Sequence, residues 1–423
     1  MDRIWIRGGK RLFGEVKIGG AKNAALPALA ACLLVKGESI IGNIPHVKDV
    51  FTMIELLKKL GAEIEIDDTQ DSLRIFIDTS NVYQFIVSYD LVKTMRASIL
   101  VLGPLLARFG KAQVSLPGGC AIGARPINFH LDGLRLLGAK ITLEEGYVVA
   151  ESKKLEAAKI KFDFPTVGGT ENLMMLAATL EGVTLIENAA KEPEINDLAN
   201  ILCKMGASVE GAGGDKIVIR GSKSLKSIKH DIIPDRIEAG TYMTAGVITG
   251  GKVIIRGCSP NFLIEVIEKL KATGASFSIR GDDIIEIIGP DKIIPIDFRT
   301  SPYPGFPTDM QAQFIALLSI ANGVSVVTET VFENRFMHVS EVARMGADIK
   351  IDGHNAIIRG VDQLKGAPVM ATDLRASACL ILAGLVAKGE TVISRIYHLD
   401  RGYEKIEKKF QGLGAIIRRE GNA

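Results

Sequence analysis

One cysteine of this chain lies in a sequence that suits a reactive thiol. Cys120 belongs to the stretch SLPGGCAIGARPINFH, whose prolines and glycines exclude a helix and disfavour a regular strand. Such a stretch forms a loop, and loops on a rigid scaffold are where functional residues tend to lie. The sequence therefore predicts a functional cysteine loop. The alternative is that Cys120 is a small apolar filler of a glycine turn.

Charged side chains also lie where helices are predicted to begin. They are, in chain order, Lys22 with Asn23, Lys93 with Arg96, Asp309, and Asp373 with Arg375. Helix N-termini carry free N–H groups and a partial positive charge, so several of them at one cleft would concentrate anions. A lysine or arginine at a helix start disfavours the helix itself. We therefore predict a ligand with negative charge.

These residues have structural alternatives. Lys22 could be a solvated loop lysine. Arg96, Arg375 and Arg401 could form ion pairs between domains. Asp309 could be a helix N-cap, a position that aspartate favours.

Six related segments position these residues. Each ends a predicted helix at a Gly-Ala pair followed by an alternating stretch, as in LKKLGAEIEI and LRLLGAKITL. The glycines, 68 to 77 residues apart, are Gly61, Gly138, Gly206, Gly274, Gly346 and Gly414. Such even spacing marks duplicated supersecondary units. The second unit is enlarged, since 28 residues separate Gly110 from Gly138 where the other units have 23 to 25, and the extra residues fall around Cys120. An enlarged loop on a rigid scaffold is where function tends to lie.

The first helix of each unit is apolar on nearly every side. The six segments are NAALPALAACLL, KTMRASILVLGPLLA, ENLMMLAATL, AGTYMTAGVI, MQAQFIALLSIA and LRASACLILAGLVA. A helix apolar all round needs neighbours all round, which predicts helices buried inside a shell of sheet. Cys32, Cys203 and Cys379 lie in apolar helices and are predicted core residues, while Cys258 is left open.

Six units divide most simply into three and three. The polar stretch SLKSIKHDIIPDRIEAG separates the third unit from the fourth, and the opening MDRIWIRGGKRLFGEVKIGG indicates two strands outside the repeats. If these strands complete the second trio, the chain crosses between domains near Gly20 and near Ile233. We therefore predict one domain of residues 22–232, carrying the Cys120 loop, and a second of residues 1–21 with 233–423.

The composition is that of a large soluble enzyme. A chain of 423 residues allows two or three domains, and 47% hydrophobic residues are ample for their cores. The apolar runs are too short to span a bilayer and no signal-type segment opens the chain, so we expect a cytoplasmic protein without a membrane partner. A net charge of +2 gives no reason to expect nucleic acid. Scattered cysteines and histidines without ligand spacing argue against a metal, and no cofactor is expected.

Seven motifs carry a resemblance to a known family. They are GGAKNAALPAL, KTMRAS, PGGCAIGARP, PGFPTDMQAQ, VFENRFMHV, TDLRASACL and HLDRGYE, spread from residue 19 to residue 404. Together they resemble the UDP-N-acetylglucosamine enolpyruvyltransferases, or 1-carboxyvinyltransferases, of the enolpyruvyltransferase family. The resemblance implies a two-domain inside-out α/β barrel of six βαβαββ-type repeats, three per domain, with buried helices and an active site in the interdomain cleft.

The same resemblance implies a reaction. The enolpyruvyl group of phosphoenolpyruvate would pass to the 3′-hydroxyl of UDP-N-acetylglucosamine with release of phosphate, as the first committed step of peptidoglycan synthesis. Cys120 would be the general acid that protonates C3, and would also trap the cationic C2 as a thioether. Asp309 would take the proton of the sugar hydroxyl, and Lys22 and Arg401 would complete the catalytic set. Closure of the Cys120 loop would exclude water.

Substrate contacts follow from the resemblance as well. Lys22, Asn23, Arg125 and Arg401 would hold phosphoenolpyruvate, whose phosphate and carboxylate require fixed cations. The nucleotide would be lined by Arg96, Arg125, Pro126, Ile127, Asn128, Phe129, Thr166, Val167 and Gly168. Val331 would pack near the sugar, and Asp373 and Arg375 would assist at the closing interface.

Two positions depart from the family pattern. Asn128 stands where many relatives have aspartate, and Phe164 where some have lysine, so the nucleotide half is less well defined. His130 fits either a family position or a structural histidine. One rival is the 3-phosphoshikimate enolpyruvyltransferase, which shares the six units but lacks the cysteine loop. Another is a non-catalytic repeat scaffold, which leaves the cationic helix starts unexplained.

Overall fold

The computed structural model describes residues 2–68, 72–93, 95–116 and 127–421. These residues form two compact units. Unit I contains the described residues from Gly20 to Ile233, and unit II contains residues 2–19 and the described residues from Pro234 onward. Each unit has its own hydrophobic core.

The described residues form twenty-four strands. In chain order they are β1 (Arg3–Arg7), β2 (Phe13–Lys17), β3 (Glu38–Ile44), β4 (Glu63–Asp68), β5 (Leu73–Asp78), β6 (Ile86–Val87), β7 (Lys111–Ser115), β8 (Lys140–Glu144), β9 (Tyr147–Glu151), β10 (Lys159–Lys161), β11 (Val183–Glu187), β12 (Ser208–Glu210), β13 (Lys216–Arg220), β14 (Lys229–Asp231), β15 (Lys252–Arg256), β16 (Ser276–Arg280), β17 (Ile284–Ile288), β18 (Phe298–Arg299), β19 (Val324–Thr328), β20 (Asp348–Asp352), β21 (Asn355–Arg359), β22 (Pro368–Met370), β23 (Glu390–Ser394) and β24 (Ile416–Glu420).

The same residues form thirteen α-helices. They are α1 (Lys22–Ala31), α2 (Lys48–Leu60), α3 (Tyr89–Val92), α4 (Leu102–Phe109), α5 (Asn128–Leu136), α6 (Val167–Ala177), α7 (Pro193–Met205), α8 (Arg236–Ile248), α9 (Ile264–Ala272), α10 (Gln311–Leu318), α11 (Val339–Arg344), α12 (Leu374–Val386) and α13 (Ile406–Gly412). Five 3₁₀ turns accompany them in the described residues, at Cys32–Leu34, Arg96–Val101, Pro260–Phe262, Thr308–Met310 and Ile396–Arg401.

The strands of each unit form three four-stranded sheets. Their orders are β14-β3-β5-β4, β6-β7-β9-β8 and β10-β11-β13-β12 in unit I, and β16-β17-β15-β2, β18-β19-β21-β20 and β22-β23-β1-β24 in unit II. Each sheet has one parallel pair at an edge, and its other pairs are antiparallel; β2 runs parallel to β15, for example, while β1 is antiparallel to β23 and β24. The opening strands therefore complete two sheets built from the C-terminal half of the chain.

The Gly-Ala pairs end the outer helices through a left-handed turn. Their six glycines have φ between 89° and 115°, a region that favours glycine because it has no Cβ. At Gly61 the amide donates to carbonyls of the last turn of α2, and the next residue, Ala62, packs into the core at 6% exposure. The repeated pair thus joins each amphipathic helix to its strand.

The first helix of each repeat is buried as predicted. All thirteen residues of α8 and all eight of α10 are buried. The facing strands alternate, as in β15, where Val253 and Ile255 are buried and the flanking Lys252 and Arg256 are exposed. Helices enclosed by sheets are the inside-out α/β arrangement, so the predicted fold class is confirmed.

The second repeat departs from the continuous first helix that was predicted for it. The chain instead forms the 3₁₀ turn Arg96–Val101 followed by α4. Pro104 lacks an N–H donor and its ring opposes a regular preceding turn. In addition, the Asn172 side chain is inserted in the helical ladder, accepting from Gly103 N at 2.7 Å and donating to Ile99 O at 3.0 Å.

The described cysteines are core residues with one exception. Cys32, Cys258 and Cys379 are fully buried, and burial raises the pKa of the Cys32 thiol to about 12. Cys203 is exposed, so its prediction as a core residue is wrong. Helix α7 is amphipathic, and Cys203 lies on its outer face.

Candidate active site

In unit I the first buried helix begins at the predicted Lys22. Its Nζ lies 3.4 Å from Oδ2 of Asp49, and the two side chains are 13% and 5% exposed. Asn23, the next residue of α1, is half-buried. Lys22 is therefore a fixed and largely buried cation, and the alternative of a solvated loop lysine is wrong.

Two cations, Lys93 and Arg96, were predicted at the start of the first helix of the second repeat, and only Arg96 lies there. Arg96 begins the 3₁₀ turn and is half-buried. Lys93 ends the short helix α3 and pairs with Asp90 at 2.7 Å in an exposed position. The prediction that Lys93 begins this helix is wrong, because the turn starts three residues later.

His130, near Arg96, is a buried and neutral histidine of α5. Its Nδ1 lies 3.1 Å from Nδ2 of Asn172. The Asn172 amide is oriented by Gly103, whose N–H must meet Oδ1. Since Nδ2 can only donate, Nδ1 of His130 accepts and the proton resides on Nε2. Burial, with a smaller contribution from the charge of Arg96, lowers the pKa of His130 to about 4.

The imidazole of His130 packs against the start of α6. Thr166 caps this helix, its Oγ1 accepting from the N–H three residues later at 3.3 Å. A Cβ on Gly168 would come 3.3 Å from Cε1 of His130, which is closer than ordinary van der Waals contact. The structure thus brings His130 together with the predicted residues Thr166, Val167 and Gly168, under the electrostatic influence of Arg96.

Part of the predicted set lies outside the described residues, namely Cys120, Arg125 and Pro126. The described part of that run leads into α5. Ile127 immediately precedes the helix, and Asn128 is its exposed first residue. The ring of Phe129 packs edge-to-face on Phe162 at a centroid distance of 6.2 Å. Phe164, the position of the second family departure, is 43% exposed.

In unit II the predicted base Asp309 lies between two buried arginines. Its Oδ1 accepts from Nη2 of Arg335 at 2.6 Å, and its Oδ2 accepts from Nη2 of Arg375 at 2.8 Å. The arginine side chains are 4% and 6% exposed, whereas that of Asp309 is 27% exposed. Neither Thr308–Met310 nor α10 has a side-chain cap. Asp309 is therefore not the helix N-cap of the alternative.

Arg375 belongs to a buried polar network at the start of α12. Asp373 caps this helix, its Oδ1 accepting from two backbone N–H groups of the first turn at 2.8 and 3.0 Å. The Arg375 guanidinium also donates to Oη of Tyr403 at 3.3 Å, and Tyr403 hydrogen-bonds to Thr241 at 2.8 Å. Burial is the largest single effect and disfavours the charge of Arg375, but Asp309, Tyr403 and Asp235 together outweigh it and raise the pKa of Arg375. The ion pair of Arg375 with Asp309 forms inside unit II.

Arg401 lies on an anchored turn. It is the half-buried last residue of the 3₁₀ turn Ile396–Arg401. The preceding Asp400 accepts from both terminal nitrogens of Arg419, at 3.1 and 2.5 Å. A bidentate pair of this kind fixes orientation as well as distance. Arg401 is thus carried on backbone whose position is set by Arg419.

Sequence reasoning missed Arg335 and Tyr403 as functional neighbours of Asp309 and Arg375. Both lie in motifs that carried the resemblance, VFENRFMHV and HLDRGYE, and Val331 of the first motif is half-buried. Asp309 and Arg335 are 26 residues apart. Since an ion pair at that separation depends on tertiary folding, no local periodicity could have indicated it.

The described residues suit anionic ligands better than metals. Fixed cations and helix N-termini bind phosphates and carboxylates. Among the residues that the structure describes, no group of three or more histidine, cysteine, aspartate or glutamate side chains is placed to hold a metal ion. No helix in this described part of the chain has the length and apolarity that crossing a membrane requires.

The inside-out α/β fold and the fixed cations are those expected of an enolpyruvyltransferase, and comparison with known proteins supports this class. Residues 6–410 match the family model of EPSP synthase, the 3-phosphoshikimate 1-carboxyvinyltransferase, so the chain belongs to the EPSP synthase family of enolpyruvyltransferases. Within this family, UDP-N-acetylglucosamine 1-carboxyvinyltransferase of Thermodesulfovibrio yellowstonii is 57% identical over 99% of this chain and 100% of its own. The protein of the same name from Geotalea uraniireducens is also 57% identical, over 99% of each chain. The predicted family resemblance is confirmed.

Solved structures share the architecture. The enolpyruvyl transferase NikO from Streptomyces tendae superposes with a TM-score of 0.88 at 26% identity, over 99% of this chain and 98% of that one. EPSP synthase from Acinetobacter baumannii superposes with a TM-score of 0.76 at 19% identity over both complete chains, a likeness of fold alone.

Proposed function

We propose that this protein transfers the enolpyruvyl group of phosphoenolpyruvate to the 3′-hydroxyl of UDP-N-acetylglucosamine and releases phosphate. Relatives that carry the name of this activity are 57% identical over nearly the whole chain. The observation that carries the proposal is the placement of Asp309. Its carboxylate caps no helix and accepts hydrogen bonds from Arg335 and Arg375. The side chain nevertheless remains partly exposed.

Asp309 is the base of this reaction. The sugar hydroxyl donates its proton to the carboxylate while its oxygen attacks C2 of phosphoenolpyruvate. Each Asp309 oxygen accepts one arginine N–H in the structure, and a carboxylate oxygen can accept more than one hydrogen bond. The arginines prevent rotation of the carboxylate, so its direction is set before substrate arrives.

Protons and phosphate then move as follows. Cys120 protonates C3 as general acid, which makes C2 electrophilic, and its thiolate can add to C2 to form a thioether. A thioether bond breaks before the sugar oxygen bonds to C2. The Cys120 thiolate then takes a proton from C3, and the electron pair left behind forms the C2–C3 double bond as phosphate leaves with the C2–O bonding pair. Lys22, Asn23, Arg125 and Arg401 hold the phosphate and carboxylate and stabilise the leaving phosphate.

The nucleotide is assigned to unit I. Arg96 supplies a cation for the diphosphate, and Thr166, Val167 and Gly168 supply the start of α6, whose N–H groups favour anions. Ile127, Asn128 and Phe129 belong to the same site, with Pro126. In unit II, Val331 packs near the sugar while Asp373 and Arg375 assist closure over the substrates.

The reaction places the protein at the first committed step of peptidoglycan synthesis, with consequences for cell shape and division. It needs phosphoenolpyruvate and UDP-N-acetylglucosamine, which are both soluble, and it needs neither nucleic acid nor membrane, in keeping with a cytoplasmic enzyme. A reactive Cys120 would also make the protein a target of fosfomycin.

The second candidate is 3-phosphoshikimate as acceptor, favoured by the description of the matching family model. Phosphate release from phosphoenolpyruvate with each acceptor in turn separates the two. We expect release with UDP-N-acetylglucosamine and none with 3-phosphoshikimate. Phosphate release with 3-phosphoshikimate alone would favour the second candidate. No phosphate release with either acceptor would favour a non-catalytic scaffold.

A further inference from the structure

Unit II contains a buried carboxylate that none of the predicted roles uses. Glu329 follows β19 and is 1% exposed. Removing a carboxylate from water is unfavourable unless hydrogen bonds replace its hydration. The hydrogen-bond partners of Glu329 therefore indicate what the buried carboxylate does.

Four neutral donors surround the Glu329 carboxylate. Its Oε1 accepts from Thr300 Oγ1 at 2.8 Å, from Val331 N at 2.8 Å and from Phe332 N at 3.1 Å. Its Oε2 accepts from Thr308 Oγ1 at 2.9 Å. Two of the bonds stay within the loop after β19, which carries Glu329 itself, and the other two tie this loop to Thr300 at the end of β18 and to the turn Thr308–Met310.

Two of these segments carry residues assigned to the sugar. Thr308 is the residue before Asp309, the proposed base, and Val331 is the proposed sugar contact. From this juxtaposition we propose that Glu329 is a positioning residue for enolpyruvyl transfer, which sets the backbone of Asp309 and Val331 relative to each other. The inference rests on the proposed function and deepens it.

A second connection reaches Asp309 from the other side. Phe332, whose N–H is held by Glu329, lies beneath the guanidinium of Arg335 at 5.4 Å from the ring centroid. Arg335 in turn donates to Asp309 at 2.6 Å. Glu329 thus fixes both the turn that bears the base and the loop that bears one of its two arginine partners. A shift of either would rotate the carboxylate away from the attacking hydroxyl.

The test measures steady-state kinetics of Glu329→Gln, Thr308→Val and Thr308→Ser, using phosphoenolpyruvate and UDP-N-acetylglucosamine. Gln places an NH₂ group against one of four donors, and Val removes the Thr308 hydroxyl while keeping its shape. Since a displacement of about 1 Å can cost 10²-fold, we expect kcat to fall roughly 10- to 100-fold in both variants. Thr308→Ser keeps the hydroxyl and should recover most of the activity. The KM for phosphoenolpyruvate should stay unchanged, because its proposed ligands lie elsewhere.

A merely structural role would look different. It would lower the folded fraction and leave kcat per folded enzyme unchanged. Thr244→Val is the matched control, since the hydroxyl of this buried threonine donates to Gly240 O at 2.8 Å within α8 itself. It should reduce stability to a similar degree and retain wild-type kcat.

The outcomes separate the two proposals. A wild-type protein that releases no phosphate with UDP-N-acetylglucosamine would overturn the proposed function, and the role of Glu329 with it. An active wild type together with wild-type kcat in Thr308→Val and Glu329→Gln would overturn the positioning role alone. If Glu329→Gln fails to fold, the Thr308 pair still decides, because equal kcat in the Ser and Val variants contradicts the inference.

Discussion

Replacing Asp309 by asparagine tests whether its carboxylate is a base or only a counter-ion. Aspartate accepts one charge-assisted hydrogen bond from each of two buried arginines, at 2.6 and 2.8 Å. Asparagine has one acceptor oxygen, so one arginine must face an NH₂ group instead. A bond of this type contributes about 1.5–3 kcal/mol, and breaking a fully buried ion pair costs about 3–5 kcal/mol. Because Asp309 is 27% exposed, we expect a loss of about 2–4 kcal/mol in unfolding free energy.

The effect on turnover should be larger than this loss implies. If Asp309 takes the proton of the sugar hydroxyl, the amide cannot replace it, and loss of general-base catalysis should slow phosphate release by about 10²- to 10⁴-fold. The assay is phosphate release at saturating substrates, expressed per folded protein, beside urea denaturation of the same preparations. The folded fraction stays near one if total stability is well above the loss.

Asp235→Asn supplies a matched control in the same unit. Asp235 Oδ1 caps α8 by accepting from Ile237 N at 2.8 Å and Glu238 N at 3.0 Å. Asparagine caps about as well as aspartate, so stability and turnover should be close to wild type. If Asp309→Asn turned over within threefold of wild type, the assignment of the base would be refuted. Unchanged stability would contradict the double arginine contact.

Two further predictions concern protonation and labelling. Burial lowers the pKa of His130 and of His338 to about 4, so each contributes stability that is present above about pH 6.5 and lost as the pH falls toward 4, where the unfolded chain binds the proton. NMR titration of the two imidazoles should show them neutral at pH 5; midpoints near 6.5 would be inconsistent with this. An epoxide phosphonate of the fosfomycin type should alkylate Cys120, and peptide mass spectrometry should find the exposed Cys203 unmodified. Equal labelling of the two cysteines would contradict the prediction that Cys120 is unusually reactive.

The sequence predicted the fold well because its signals are local. A glycine that ends a helix and a small residue that enters the core recur with each Gly-Ala pair, and the structure gives every such glycine a left-handed φ. Helices apolar all round could only be buried. The second repeat defeated the same reasoning, because the tight turn before α4 depends on the Asn172 side chain, which approaches from another helix. Such tertiary insertion leaves no mark on local periodicity.

The candidate site was predictable in its residue types and less so in its contacts. Cations at helix starts indicated Lys22, Arg96 and Arg375, all of which the structure places at such starts or turns. The helix-cap alternative for Asp309 failed because it considered only neighbours in sequence. A carboxylate near the start of a helix can accept either from the backbone N–H groups of that helix or from other side chains. Arg335, from which Asp309 accepts, lies on a separate loop.

The three buried helices of unit II begin in two different ways, and this difference bears on the chemistry. Asp235 and Asp373 cap α8 and α12, so their accepting oxygens are committed to backbone N–H groups. The described residues before α10 provide no side-chain cap, and Asp309 points to arginines instead. Gln311, the first residue of α10, donates its N–H to Thr308 O, so backbone of the preceding 3₁₀ turn takes the place of a side-chain cap. Among these three described helix starts, only that of α10 lacks a side-chain cap and has its carboxylate held by two arginines instead, which leaves Asp309 available for the role of base proposed above.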